Sequence, residues 1–149
     1  MQPKPILIAD DDEGDVMFLE HQFKTVKLLN PINMVTDGEQ VVCYLKGEGR
    51  FADRTKYPYP LILLLDLRMP RMGGLEILSF LRASPEHRNL PVIILSVLGE
   101  LKDMNQAYKL GANSFLVKPI DINDLVCTLR GVKHLAVRVS DEGFWLEAD

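Results

Sequence analysis

The chain has 149 residues, the size of one domain, and 47% of them are hydrophobic, enough for a core without disulfides. With 17 basic and 21 acidic residues the net charge is −4, which argues against a nucleic-acid-binding surface. No signal-peptide pattern is visible, and the longest apolar run, residues 61–65, is too short to span a membrane. We therefore expect a cytoplasmic protein without membrane contacts, in which Cys43 and Cys127 are buried free thiols.

Strand-like and helix-like patterns alternate from the start of the chain. Residues 6–9 form a short apolar run that predicts a strand, and residues 15–27 show apolar side chains at helical spacing. A second strand is predicted over residues 32–36. Asp37 then fits the N-cap of a helix that runs to Lys46.

Residues 47–60 are the one long irregular stretch, rich in Gly, Arg, Tyr and Pro. Loops of this length inside a domain are uncommon and are often functional or mobile. The alternation then resumes, with strands predicted over residues 61–66, 92–96 and 114–118 and helices over residues 74–83, 100–110 and 122–137. Five β–α units result, and strands that are apolar throughout indicate a parallel sheet covered by helices on both faces.

Polar side chains gather where these strands end. They are Asp10, Asp11 and Asp12 after strand one, Asp66 at the end of strand three, Ser96 at the end of strand four and Lys118 at the end of strand five. In a doubly wound sheet, ligands bind at this carboxyl edge of the strands. Each acid alone would more often be a helix N-cap, but their convergence with a serine and a lysine indicates a site.

The chemistry of such a cluster is restricted. Crowded carboxylates repel one another, and a hard divalent cation such as Mg²⁺, or alternatively Mn²⁺, removes that repulsion. Lys118 adds a positive charge that can pair with Asp66 or with a phosphoryl oxygen, and Ser96 adds a hydroxyl donor. A carboxylate nucleophile, a metal, a lysine and a hydroxyl together favour phosphoryl transfer.

At this point the chain, over residues 6–137, resembles the receiver domains of two-component response regulators. The motifs that carry the resemblance are Ile6-Leu7-Ile8-Ala9-Asp10-Asp11, Leu65-Asp66-Leu67-Arg68-Met69-Pro70, Gly73-Gly74, Leu95-Ser96, Gly111-Ala112 and Lys118-Pro119. The resemblance implies an α/β flavodoxin-like fold, a doubly wound (βα)5 with strand order 2-1-3-4-5. The insertion at 47–60 and the Phe144-Trp145-Leu146 tail are similar to the single-domain regulators that partner bacterial and cyanobacterial phytochromes.

The resemblance also implies a role for each site residue. Asp66 would be the phosphoacceptor, and Asp10, Asp11, Asp66 and the backbone carbonyl of Arg68 would hold Mg²⁺. Ser96 and Lys118 would bind the phosphoryl group, and the Lys118–Pro119 peptide would be cis. Phe115 would be an aromatic switch that moves with Ser96; its alternation with neighbouring residues suggests a face other than the inner core.

The implied function is that of a single-domain response regulator, not a turnover enzyme, phosphorylated by a sensor histidine kinase, with a phytochrome as one candidate. The receiver would occupy residues 1–140, with no fused output domain, and residues 141–149 would be a C-terminal tail. The apolar C-terminal residues suggest either a homodimer interface or a tail folded back on the core, and the resemblance favours the dimer. Val97, Leu98 and Arg68 would crowd the route to Asp66, which predicts a long-lived phosphorylated state.

Three alternatives are open. One is a shuttle that passes the phosphoryl group to a downstream phosphotransfer protein. Another is a Mg²⁺-dependent phosphohydrolase, which is disfavoured because such enzymes carry a second Asp two residues after the nucleophile, where this chain has Arg68. The third, a receiver that no longer binds phosphate, is disfavoured because every acid, the serine and the lysine of the site are present.

Overall fold

The computed structural model describes residues 3–97 and 99–149. Five strands form the main sheet, namely β1 (Ile6–Ala9), β2 (Ile32–Val35), β3 (Ile62–Asp66), β4 (Val92–Ser96) and β5 (Ser114–Val117). Five helices alternate with them, namely α1 (Glu13–Thr25), α2 (Gly38–Lys46), α3 (Gly74–Ala83), α4 (Leu101–Lys109) and α5 (Ile122–Arg130). The strand order is β2-β1-β3-β4-β5 and every neighbouring pair is parallel, so the predicted fold is confirmed.

Both faces of this sheet are buried, as strands that are apolar throughout require. Because successive side chains of a strand point to opposite faces, Leu7 and Ile8 of β1 belong to two different core clusters. The first cluster packs under α2, α3 and α4, and the second under α1 and α5. The carboxyl ends of all five strands are left clear of helices at one edge.

Aspartates begin three of the helices. The side chain of Asp12 accepts a hydrogen bond from the backbone N–H of Asp15 at 3.1 Å, and Asp37 caps α2 in the same way. Such caps satisfy N–H groups that have no partner inside the helix. The predicted cap at Asp37 is confirmed, and Asp12 serves as the cap of α1.

The insertion at 47–60 is organised around a single arginine. The guanidinium of Arg54 donates to the carbonyls of Tyr44 and Leu45 at 2.8 Å, at the C-terminal end of α2, and to the carbonyl of Tyr57 at 3.0 Å. The rings of Phe51 and Tyr57 pack against the buried ring of Tyr44. The insertion is therefore fastened to the domain through carbonyls of the last turn of α2, which have no i+4 partner within the helix.

The predicted fifth helix over residues 122–137 was wrong in its second half. The helix ends at Arg130, and the chain then forms an antiparallel hairpin of β6 (Leu135–Ser140) and β7 (Gly143–Ala148). His134, four residues past the end of the helix, has a φ of 67°, a left-handed conformation that a continuing helix would not contain. From there apolar residues recur every second position, at Leu135, Val137 and Val139, which is the period of a strand.

The hairpin packs against the loop between α1 and β2 of its own chain. Leu146 is fully buried, and its N–H and C=O both bond to the side chain of Asn30, at 2.8 and 2.9 Å. The N–H of Leu29 donates to the carbonyl of Phe144 at 2.7 Å. The folded-back arrangement of the tail is thus the one observed, and the hairpin crosses the boundary predicted at residue 140.

Two further expectations concern the cysteines and membrane-spanning helices. Both cysteines are free thiols, but Cys43 is only half-buried and Cys127 is exposed, so the prediction that both are buried was wrong. In the described ranges, no helix combines the length and the apolar character needed to cross a membrane.

Candidate functional site

The predicted site residues meet at the carboxyl edge of the sheet. A cleft of about 400 Å³ opens there between the loops that follow β1, β3, β4 and β5. It is lined by Asp11, Asp12, Asp15, Asp66, Arg68, Ser96, Val97 and Lys118. Parallel strands bring these residues together because all of their carboxyl ends lie at the same edge.

Three carboxylates lie close enough to share one cation. One oxygen each of Asp10, Asp11 and Asp66 can be chosen so that all three lie within 4.8 Å of one another. Asp10 and Asp66 are buried and Asp11 is exposed. Hard oxygen donors at this spacing, open to water on one side, suit Mg²⁺ or Mn²⁺, so the residues present fit a divalent cation.

Asp66 lies in an environment that disfavours its charge. Only 6% of the residue is exposed, and burial raises the pKa of its carboxyl from 3.8 to about 6. Lys118 opposes this shift, the negative charge of Asp10 adds to it, and a hydrogen bond from the N–H of Arg68 at 3.3 Å opposes it. Without a cation, the folded state therefore binds a proton at Asp66 more tightly than an exposed aspartate does.

Lys118 holds the acids together from the other side. Its ammonium lies 2.7 Å from Asp10, 2.9 Å from Asp15 and 3.5 Å from Asp66. Burial lowers the pKa of Lys118, but the hydrogen bonds to Asp10 and Asp15 and the negative charges of Asp66 and Asp10 together outweigh burial, and the net direction is upward. Lys118 therefore stays protonated and places a positive charge at the centre of the site.

Asp15 is the site residue that the sequence analysis missed. Within the pattern it is one acid of the first turn of a helix, a position where acids are common because of the helix dipole. The available signal was its place in the first helical turn directly after the acids that end strand one. Its contact with Lys118 spans 103 positions and depends on how α1 sits on the sheet.

Of the three residues expected to crowd Asp66, two line the cleft, one of which leans towards α4, and the third is not described by the structure. Val97 lines the cleft and is 67% exposed. The guanidinium of Arg68 lies 3.3 Å from Asp103 of α4, so its side chain leans towards that helix. Leu98 lies outside the described residues. Crowding by Val97 therefore stays a prediction.

Ser96 and Phe115, the two residues expected to switch, both lie in the sheet core. Ser96 is buried at the end of β4, and its carbonyl accepts a hydrogen bond from the N–H of Lys118 at 2.6 Å. Phe115 is buried in the cluster under α2, α3 and α4, so its expected separation from the inner core was wrong. The N–H of Phe115 donates to the hydroxyl of Tyr108 on α4 at 3.1 Å.

Two backbone features shape the edge of the site. A Cβ on Gly74 would lie 2.6 Å from the carbonyl oxygen of Asp66, so the chain can pass this close to the acid only with glycine. The peptide bond between Lys118 and Pro119 is cis. The first feature sets how closely the chain after β3 approaches Asp66, and the second sets the direction of the chain after β5.

Comparison with known proteins assigns the family. The family model "Response regulator receiver domain" matches residues 6–130. The chain belongs to the response regulator receiver family. Response regulators are generally signalling proteins, and the five-stranded fold agrees with that family.

Three relatives are similar over nearly the whole receiver. Response regulator RPA3017, described in red light signalling of R. palustris, is 40% identical with a TM-score of 0.76, covering 88% of this chain and 92% of its own. The bacteriophytochrome response regulator RtBRR is 33% identical with a TM-score of 0.83, covering 95% and 84%.

The third relative is Response regulator Rcp1 of Synechocystis sp., 28% identical over 145 residues, which are 97% of this chain and 90% of Rcp1. A structure of Rcp1 in its Mn²⁺-bound form aligns with a TM-score of 0.72 and 27% identity, covering 88% of this chain and 92% of that one. The relatives of this receiver thus include Rcp1 and bacteriophytochrome response regulators.

Proposed function

We propose that this receiver accepts a phosphoryl group on the carboxylate of Asp66 in a Mg²⁺-dependent reaction. The observation that carries the proposal is the position of Asp66. Its carboxylate ends a buried strand, lies within cation-sharing distance of Asp10 and Asp11, and has the ammonium of Lys118 3.5 Å away. Asp10 is buried with the same two kinds of neighbour, but it does not line the cleft, whereas Asp66 does.

In the proposed reaction, one carboxylate oxygen of Asp66 attacks the phosphorus of a phosphohistidine. A phosphorus–oxygen bond forms, the phosphorus–nitrogen bond breaks, and its electron pair stays on the imidazole nitrogen of the donor. Charge on the transferred oxygens has to be neutralised during this step, and Lys118 is placed to do so. The hydroxyl of Ser96 would donate to a second phosphoryl oxygen.

The cation would be held by Asp10, Asp11 and Asp66, and the backbone carbonyl of Arg68 would complete the protein ligands. When bound, it would neutralise negative charge that the acids and the phosphoryl group share. The Mn²⁺-bound form of the relative Rcp1 supports a divalent ion at such a site. The protein's own part is to hold the acids at a spacing that suits one small ion.

The signal would leave through α4 and β5. Movement of Ser96 towards the phosphoryl group would change the packing around Phe115, which already lies buried, and the backbone N–H of Phe115 is bonded to the hydroxyl of Tyr108 on α4. This face carries exposed apolar side chains, at Leu101, Tyr108 and Val117. A change in its shape would alter which proteins the receiver binds.

The proposed donor is a sensor histidine kinase, and the bacteriophytochrome relative RtBRR favours a phytochrome-type kinase. We also propose that the receiver forms a homodimer. It is supported by Val139, which is 75% exposed on the hairpin, and by the exposed apolar residues of α4 and β5. Light scattering before and after phosphorylation tests it, and a monomer in both states would contradict it.

The function is tested by incubating the receiver with a phosphorylated histidine kinase and, separately, with a small phosphoramidate donor, each with Mg²⁺ or with chelator. We expect one phosphoryl group per chain with Mg²⁺, released by hydroxylamine as an acyl phosphate is, and none in Asp66→Asn. Asp12→Asn is the matched control, because it removes a charge from the same cleft while an asparagine still caps α1; it should keep the label.

Label retained in Asp66→Asn would contradict the assigned acceptor, and full labelling in chelator would contradict the metal requirement. Transfer from the labelled receiver to a histidine phosphotransfer protein would indicate the shuttle. Turnover of free phosphate esters is not expected, because Arg68 stands where a hydrolase carries its second Asp and its guanidinium pairs with Asp103.

A further inference from the structure

Asp15 is tied to the lysine of the site and has no part in the function proposed above. Its carboxylate accepts a hydrogen bond from the ammonium of Lys118 at 2.9 Å, shorter than the 3.5 Å between that ammonium and Asp66. The other short bond of Lys118, 2.7 Å long, goes to Asp10. The lysine is thus held by two acids on the β1–α1 side of the cleft.

A lysine ammonium has three N–H donors. Two of those of Lys118 are directed to Asp10 and Asp15, and a phosphoryl group on Asp66 would present several strong acceptors close by. The third N–H is left for Asp66, which is 3.5 Å away, so a short bond to a phosphoryl oxygen on Asp66 requires the ammonium to move towards it. One of the two existing hydrogen bonds has to weaken for that movement to happen.

The two acids differ in how easily they can lose the lysine. The side chain of Asp10 is 2% exposed, so without Lys118 it would be a buried charge lacking its partner. The side chain of Asp15 is 45% exposed and can exchange the ammonium for water at little cost. Asp15 is therefore the partner that gives way.

We propose that Asp15 is a positioning residue that holds Lys118 towards α1 in the unphosphorylated receiver and releases it when a phosphoryl group arrives on Asp66. Asp15 thereby competes with the phosphoryl group for the lysine and weakens phosphoryl binding. The inference rests on the proposed function, since it assigns a regulator of the same site. A residue in the first turn of α1 would therefore affect how tightly the phosphoryl group is held.

A different role for Asp15 predicts the opposite sign. An acid on this loop could hold the cation through a water molecule, and its loss would then weaken Mg²⁺ binding and, with it, binding of the phosphoryl group. Competition for Lys118 predicts instead that its loss strengthens phosphoryl binding and leaves Mg²⁺ affinity unchanged. The two roles are separable because Mg²⁺ can be titrated alone.

The experiment titrates the full chain with Mg²⁺ alone and then, at saturating Mg²⁺, with beryllofluoride, which mimics an aspartyl phosphate. The variants are Asp15→Asn, Asp15→Glu and Glu13→Gln. Glu13 is the matched control, because it is an exposed acid of the same helical turn and its substitution removes the same charge from α1. Urea unfolding of each variant checks that the fold is intact.

We expect Asp15→Asn to bind beryllofluoride about two- to five-fold more tightly than the natural protein, the range of a half-exposed ion pair. Asp15→Glu should return towards the natural affinity, and Glu13→Gln should not change it. The two-dimensional NMR signal of the Lys118 ammonium should shift in Asp15→Asn and stay in place in Glu13→Gln. A general effect of removing one negative charge from α1 would shift it in both variants.

Equal or weaker beryllofluoride binding by Asp15→Asn overturns the inference, and so does an equal gain in Glu13→Gln. Weaker binding of Mg²⁺ alone by Asp15→Asn overturns it in favour of the metal role. If the natural protein binds no beryllofluoride, the proposed function itself fails. If instead the natural protein binds beryllofluoride and Asp15→Asn binds it no better, only the inference about Asp15 fails.

Discussion

Replacing Asp66 by asparagine should make this receiver more stable at neutral and alkaline pH in the absence of metal. The carboxylate is almost fully buried, and burial is the largest cause of its raised pKa. An asparagine has nearly the same shape and carries no charge. The variant therefore removes a destabilising charge without leaving a cavity.

The magnitude follows from the pKa. It rises from 3.8 to about 6, and one pKa unit corresponds to about 1.4 kcal/mol, so ionised Asp66 lowers the free energy of unfolding by about 3 kcal/mol. Below pH 3.8 the carboxyl is protonated in both folded and unfolded chains and the cost is absent. The cost grows as the pH rises towards 6 and is complete above that value.

The assay is urea unfolding of the natural protein and of Asp66→Asn in chelator, at pH 8, 6 and 4.5. We expect the variant to be more stable by up to about 3 kcal/mol at pH 8, which is roughly 6–12 °C in Tm for a chain of this size. The difference should shrink as the pH falls. Adding Mg²⁺ should then stabilise the natural protein more than the variant, because the cation binds the ionised acid.

The reasoning is refuted if Asp66→Asn is no more stable than the natural protein at pH 8 without metal. It is also refuted if the gain is independent of pH, because the charge could not then be its source. Asp12→Asn provides the comparison, since Asp12 is exposed and its substitution should leave stability nearly unchanged at each pH.

Three further outcomes are expected. Val97→Ala should shorten the half-life of the phosphorylated state several-fold while changing stability by less than about 0.5 kcal/mol, because Val97 is exposed; equal decay in both proteins would show that Val97 does not hinder water. Asn30→Ala should cost about 2–4 kcal/mol in urea unfolding, because both backbone groups of buried Leu146 lose their partner; a loss below about 1 kcal/mol would contradict this. Gly74→Ala should cost about 1–3 kcal/mol and slow labelling, whereas Gly73→Ala, whose nearest contact would be 3.7 Å away, should do neither.

The fold of this receiver was predictable because its strands are short apolar runs separated by helical patterns. The bounds of β1, α3 and β4 agree with the predicted ones, and the other ends lie within two residues of their predictions, except the C-terminal end of α5. The site followed from the same fact, since the carboxyl ends of parallel strands must meet at one edge. Asp10, Asp66, Ser96 and Lys118 were placed together by topology alone.

What the sequence did not reveal depends on contacts between distant residues. Apolar residues at Val126, Leu129, Val132 and Leu135 continue a helical spacing, and the strand period becomes visible only beyond them. The helix prediction therefore ran past Arg130. The bond between Asp15 and Lys118 was hidden for a related reason, since no local pattern indicates which acid of a first turn faces a lysine 103 positions away.

The hairpin has a consequence for how the protein is made. Asn30 and Leu146 are 116 positions apart, yet each of the two hydrogen bonds between them is buried. During synthesis, which proceeds from the N-terminus at about 5–20 residues per second, β1, α1 and β2 emerge long before β7. For several seconds the side-chain amide of Asn30 is therefore exposed to water, and the cluster beneath α1 and α5 is completed by Leu146 only when the last strand is made.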